Sequence, residues 1–202
     1  MGEKEGYGYT IIVQQNDGVD CWYSNINSSV NLYDYIEIEK SECDLFECLG
    51  ENIEDNIVLK ALKLFREKTG INESVKIKVT KNIPIGAGLG GGSSDAVFTI
   101  KGLNELFNTC LSKKELEDMA LKLGSDTLFF VNNKPQIISG RGEKRQIVEL
   151  EKIYGVLVFD GDFYSTKLVF ENFDKKEVKR TVYDERLNKL SKYYFDRYSN
   201  DL

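Results

Sequence analysis

Apolar and polar positions alternate with period two in several short stretches of this chain and switch to a helical period in others. Tyr9, Ile11 and Val13 recur at every second position and predict a strand over Tyr7–Val13. The turn signal Asn16-Asp17-Gly18 leads toward a returning strand near Cys21–Ile26, where Asn25, Asn27, Ser28 and Ser29 thin the apolar content. Leu32–Glu39 sets Ile36 and Ile38 against Glu37 and Glu39, the pattern of a half-buried strand, and Leu45–Leu49 predicts another short one. From Asp55 the period changes. Ile57, Val58, Ala61, Leu62 and Phe65 share one helical face and Lys60, Lys63, Arg66 and Glu67 the other, with Asp55 placed to cap this helix and Gly70 to stop it.

Val75, Ile77 and Val79 predict a strand that runs into Asn82–Ala96, reading NIPIGAGLGGGSSDA, and Ala96, Val97, Ile100, Leu103, Leu106 and Phe107 then follow a helical period. Ser112 and Glu115 have the spacing of a capping box, opening a helix with Leu116, Met119, Ala120 and Leu123 on its face and Gly124 at its end. Asp126 stands just past that stop, before the apolar run Leu128–Phe130. Strands are expected at Gln136–Ser139 and Tyr154–Phe159, flanking the polar turn Gly140–Lys144. Lys175, Lys176, Lys179 and Arg180 read as a solvated face, and Leu187, Leu190, Tyr193 and Tyr194 as one last amphipathic helix. The uneven order of strands and helices favours an α+β fold over a doubly wound sheet.

Strand, glycine loop and helix start give Asn82–Ala96 its chemistry. Glycine has no Cβ, so such a loop turns tightly and aims successive N–H groups at one anion, and the helix start adds unpaired N–H groups and a positive dipole end. Ser93 and Ser94 can cap that helix or donate hydroxyls to a phosphate or a metal-bound water. A tight surface turn would also explain glycines, but it would not need Leu89 among them. The G-K-S/T ending of a Walker A loop is missing, so positive charge must come from a metal or a distant Lys or Arg.

The 202 residues, 41% apolar and 30% charged, suit a soluble globular protein with a sizeable core. A net charge of −6 argues against a general nucleic-acid surface and leaves a small phosphorylated ligand open. No stretch approaches membrane-spanning length and MGEKEGYGY has no signal-peptide core, so no membrane association and a cytoplasmic location are expected. A homodimer is left open. The four cysteines, Cys21, Cys43, Cys48 and Cys110, form no CxxC pair and read as buried free thiols. The chain has no histidine, which excludes Ser-His-Asp, Cys-His and histidine-metal chemistry by this chain alone and leaves acid-base work to Asp, Glu, Lys, Tyr or Cys.

Pro84–Ala96, PIGAGLGGGSSDA, resembles the central phosphate-binding motif of the GHMP kinase superfamily, and its GAGLGGGSSDA form looks most like the diphosphocytidyl-methylerythritol kinases of non-mevalonate isoprenoid biosynthesis. NLYDYIEIE at Asn31–Glu39, EDNIVLKAL at Glu54–Leu62, LGSDTLFF at Leu123–Phe130, GRGE at Gly140–Glu143 and STKLVFENFD at Ser165–Asp174 extend the likeness in order. The resemblance implies an α+β, ribosomal protein S5 domain 2-like N-terminal domain over residues 1–160, with residues 161–202 the start or remnant of a C-terminal domain. The family's second glycine-rich segment has no counterpart between Asp174 and Leu202, as expected of a fragment or a shortened homologue.

By that resemblance ATP and Mg²⁺ are the cofactors and a small-molecule hydroxyl is the acceptor. Pro84, Gly86, Gly88, Leu89, Gly90, Gly91, Gly92, Ser93 and Ser94 would hold the nucleotide, with Ser94 also reaching the metal; Asp95 could reach it too or simply complement the helix dipole. Asp126 falls on the family's acceptor-side base, although its spacing alone equally fits a turn residue bonding backbone N–H groups. Lys4 falls where the family has its partner lysine, in a changed setting of Glu3, Glu5 and Gly6 and near a terminus, where lysines are usually exposed. The cytosine-holding GYH segment aligns with Gly18-Val19-Asp20, so Trp22 or Tyr23 would have to stack a base if they are not core. A kinase, a non-catalytic nucleotide- or metabolite-binding homologue and an inactive homologue that meets a protein partner are thus the competing readings.

Overall fold

The computed structural model describes residues 7–16, 23–49, 56–124, 126–140, 144–150 and 189–190. In chain order the elements are β1 (Tyr7–Asn16), β2 (Tyr23–Lys40), β3 (Leu45–Leu49), α1 (Ile57–Thr69), β4 (Val75–Thr80), α2 (Gly91–Leu106), α3 (Lys113–Leu123), α4 (Thr127–Asn132), β5 (Gln136–Gly140), β6 (Lys144–Ile147), β7 (Glu149–Leu150) and β8 (Lys189–Leu190). The architecture is α+β. The described residues fall into two compact units, one within 30–84 and 90–132, the other within 10–29, 85–89 and from 133 onward.

In the first unit, the second half of β2 pairs antiparallel with β4 (Ile36 opposite Val79, Ile38 opposite Ile77), and β3 pairs parallel with β4 (Phe46 opposite Ile77, Cys48 opposite Val79). Parallel neighbours need a crossover, and α1 supplies it. Val75, Ile77 and Val79 face inward with Ile36 and Ile38, against Val58, Ala61, Leu62 and Phe65 of α1, Ala96, Ile100 and Leu103 of α2, and Met119 of α3. On the other parity Lys78 pairs with Glu37, and Lys76 with Glu39 and Glu47. The sheet therefore buries one face under helices and presents ion pairs on the other, as the alternation predicts.

Helix ends follow local chemistry. Asn56, just before α1 and extended at φ −71°, ψ 127°, accepts a 2.9 Å hydrogen bond from the Val58 N–H, while Gly70 closes the helix at φ 74°. The cap is thus Asn56 and not Asp55, which lies outside the described residues; periodicity cannot choose between adjacent Asx residues. Asn56→Ala is expected to cost about 1 kcal/mol, measurable as a lowered urea midpoint with an unchanged slope. The capping box of α3 forms with both arms, Ser112 Oγ accepting from the Glu115 N–H and the Glu115 carboxylate from the Ser112 N–H.

In the second unit the first half of β2 pairs antiparallel with β5 (Ile26 opposite Ile137), β5 with β6, and β7 parallel with β8. β1 pairs with β2. Several sequence expectations change here. The returning strand and Leu32–Glu39 are one continuous strand of 18 residues, because β5 satisfies the backbone along Tyr23–Asn27 and β4 along Tyr35–Lys40. Lys144–Ile147 is a strand despite its polar sequence. At Lys189–Leu190, where the amphipathic pattern predicts helix, the backbone is extended and bridges Glu149–Leu150. The expected strand Tyr154–Phe159 and most of the expected helix lie outside the described residues. Cys43 and Cys110 are free and exposed and Cys48 half-buried, because the first two sit in connections and not in elements; Cys21 is outside the described residues. Among the described residues no helix is long and apolar enough to cross a membrane.

Candidate active site

The glycine segment leaves β4 through Lys81, Asn82 and the buried Ile83, then passes Pro84, which is exposed. Gly86, Gly88 and Gly90 have φ of 75°, 71° and 70°, so every second residue sits in the left-handed region that glycine alone enters without strain. A Cβ on Gly88 would meet nothing within 4 Å, so the bend is not packed shut at that point. Leu89, Gly91 and Ser93 are half-buried and Gly92 is exposed. Gly90 is the N-cap of α2 and no side chain caps it, which leaves the helix start to other partners. Ser93 and Ser94 stand inside the first turn and do not cap the helix, whose N-cap is Gly90; their other expected part, donation to a phosphate or a metal-bound water, belongs to the proposed function. The Ser94 N–H donates to Gly90 O at 3.0 Å and its side chain is buried.

At the segment's entry and the start of α2 lies a charged group that the sequence reading overlooked. Lys81 Nζ donates to Asp34 Oδ2 and, at 2.7 Å, to Asp95 Oδ2. The side chains are 6%, 1% and 6% exposed for Lys81, Asp34 and Asp95. Asp34 Oδ1 also accepts the N–H groups of Asn82 at 2.6 Å and Ile83 at 3.0 Å, and the Asn82 amide donates to Tyr33 O at 2.8 Å. A period-two signal was available: Asp34 shares parity with Ile36 and Ile38, and Lys81 with Val75, Ile77 and Val79, so each charge falls on an inward face where it requires a partner.

Burial pushes the Asp95 carboxyl up to about 6, the Asp34 charge adding to that and Lys81 opposing it. For Lys81, burial works against the charge, but Asp95 and Asp34 outweigh it and hold the ammonium above the ordinary lysine value. Because Asp95 binds its proton more tightly folded than unfolded, where it titrates near 3.8, the stability that proton adds is complete below the unfolded value. It is lost as pH rises through about 6. Urea unfolding of the parent and of Asp95→Asn between pH 4.5 and 7.5 is expected to show the parent losing stability relative to the variant as pH rises. A difference that stays flat, or grows the other way, would contradict it.

Asp126 is exposed in the turn before α4, its carbonyl accepting the Phe129 N–H at 3.3 Å. The Thr127 hydroxyl reaches the carbonyls of Ala120 and Gly124, joining the end of α3 to the start of α4 and fixing the backbone on which Asp126 stands. Lys101 of α2 donates to Phe130 O at 2.9 Å and lies 4.4 Å from the Phe98 ring centroid, and burial lowers its pKa to about 8. The Phe130 ring lies 3.3 Å from where a Gly90 Cβ would be. The structure thus packs the helix that follows Asp126 against the start of α2. Lys4, Gly18-Val19-Asp20 and Trp22 lie outside the described residues, as do Arg141–Glu143 of GRGE, the STKLVFENFD segment and the Tyr23 side chain.

Fold and glycine segment together are those of a GHMP kinase N-terminal domain, and the family described as GHMP kinases N terminal domain matches residues 56–134. The chain is 33% identical over 201 residues to the 4-diphosphocytidyl-2-C-methyl-D-erythritol kinase of Thermodesulfovibrio yellowstonii, covering 98% of this chain and 70% of that protein. It is 40% identical over 158 residues to the kinase of the same name from Caldanaerobacter subterraneus subsp. tengcongensis, covering 77% and 55%. A crystal structure of 4-(cytidine 5'-diphospho)-2C-methyl-D-erythritol kinase matches with a TM-score of 0.63 at 25% identity, over 73% of this chain and 55% of that one. The chain belongs to the GHMP kinase superfamily, with these kinases among its relatives. It spans 55% and 70% of the length of the two relatives compared by sequence.

Proposed function

We propose that this chain binds ATP and transfers its γ-phosphoryl group to a small-molecule hydroxyl, that of 4-diphosphocytidyl-2-C-methyl-D-erythritol. The observation that supports this most is the run of left-handed glycines leading into α2, whose start no side chain caps. Phosphoryl transfer asks mainly for positioned phosphates and an oriented acceptor. Backbone N–H groups of Gly86–Ser94 would bind phosphate oxygens, helped by the positive end of the α2 dipole.

Asp126 would accept the acceptor hydroxyl's proton as its oxygen forms a bond to the γ-phosphorus and the bond to ADP breaks. Its exposure leaves it accessible to a substrate. Lys4 would be its cationic partner. Magnesium, when bound, offsets charge on the β- and γ-phosphates. Ser94, whose side chain is buried in the first turn of α2, would be the protein ligand to the metal, while Asp95 is engaged with Lys81. On this reading residues 1–160 are the nucleotide-binding domain and 161–202 belong to a C-terminal one.

The test is magnesium- and ATP-dependent phosphorylation of 4-diphosphocytidyl-2-C-methyl-D-erythritol, run beside equilibrium binding of an ATP analogue. Transfer supports the proposal. Binding without transfer overturns it in favour of a non-catalytic homologue, and a folded chain that binds no nucleotide overturns both.

A further inference from the structure

Asp34 of β2, Lys81 just past β4 and Asp95 of α2 meet beside the entry of the glycine segment. Asp34 of β2 grips the entry to the segment through the Asn82 and Ile83 N–H groups, and Asp95 belongs to α2, into which the segment runs. Lys81 joins the two carboxylates with two of its three donors. Its side chain is buried and its charge is balanced by two acids, so it is not disposed to serve as a phosphate ligand itself.

Ionic groups in such a place are poor devices for stability, because well-packed apolar residues of similar volume usually do as well or better. What directional charged hydrogen bonds supply is a single arrangement. Both ends of a segment whose glycines make it intrinsically pliable are held through one ammonium group, and pliability is a handicap to a loop that must present several N–H groups to one anion at once.

We infer that Lys81 is a positioning residue: through Asp34 and Asp95 it sets the entry of the glycine segment against the start of α2, so that a nucleotide's phosphates meet a preformed cradle. The inference rests on the nucleotide reading above and adds a role for three side chains that are engaged with one another.

Lys81→Met alone strands two acids and can fail to fold. The informative protein is therefore Lys81→Met/Asp95→Asn, in which Asp34 keeps its two backbone donors and the remaining amide can still accept and donate. In the folded double variant, Kd and KM for MgATP are expected to rise about 10- to 100-fold with KM for the acceptor unchanged. Amide hydrogen exchange of the ligand-free protein is expected to accelerate about tenfold or more at Asn82, Ile83 and Gly91–Asp95, and not in β4 or α3. Asp95→Asn alone, which retains Lys81 and Asp34, is expected to fall between parent and double variant.

A double variant that loses thermal stability with exchange raised evenly, and binds MgATP as the parent does per folded molecule, overturns the inference. A parent that binds no nucleotide overturns the proposed function instead. In that case localised exchange still supports the clamp and uniform exchange refutes it.

Discussion

Asp126→Asn is expected to lower phosphoryl transfer about 10²- to 10⁴-fold, the range that a positioned general base contributes. The substitution keeps shape and hydrogen-bonding ability and removes the basic oxygen. Asp126 is exposed before α4, and Asn is as good as Asp at the start of a helix, so the stability change is expected to stay within about 0.5 kcal/mol. MgATP binding is expected to be unchanged, because the residue acts on the acceptor and not on the phosphate cradle. Single-turnover rates with bound ATP would separate the chemical step from binding. If the variant transfers at the parent's rate, Asp126 is a turn residue only, and the base must be sought elsewhere among the acids.

The second large effect is expected at Gly90. Valine there would be a β-branched residue at φ 70°, with its Cβ 3.3 Å from the Phe130 ring. Left-handed backbone costs about 1–2 kcal/mol for an ordinary residue, and overpacking a full core adds roughly 1–3, so Gly90→Val is expected to destabilise by about 4 kcal/mol. Phe130 is itself fixed, since its carbonyl accepts from Lys101 and its ring packs edge-on against Phe129. Denaturation of Gly90→Val, alone and with Phe130→Leu, would apportion the cost. The part due to crowding should be recovered in the double variant and the backbone part should not. A single variant within about 1 kcal/mol of the parent would refute the tight-turn description.

What was legible in the sequence was local. Positive φ demands glycine, a capping box needs two residues at one spacing, and a one-faced strand writes its alternation into the chain. Hence β3, β4, the glycine segment and both ends of α3 are where the pattern puts them. Tertiary partners decide the rest. Lys144–Ile147 is polar and becomes a strand because β5 lies beside it, and the polar start of β2 is carried by β5 as well. The Lys81 group was missed for a related reason: each of its charges reads singly as a surface residue, and only parity with inward-facing isoleucines and valines reveals otherwise. Within the site, the glycines were evident from chemistry alone, whereas Asp126 rests on likeness to a family, because an aspartate before a helix is also ordinary capping.

The length of β2 has a consequence for how the protein is made. Its later half finds β4 about 40 residues downstream, whereas its earlier half must wait for β5, about 110 residues downstream. A ribosome delivers the first partner well before the second. During that interval the leading portion of the strand emerges with β1 as a possible neighbour, and its other edge is open to mispairing with other chains.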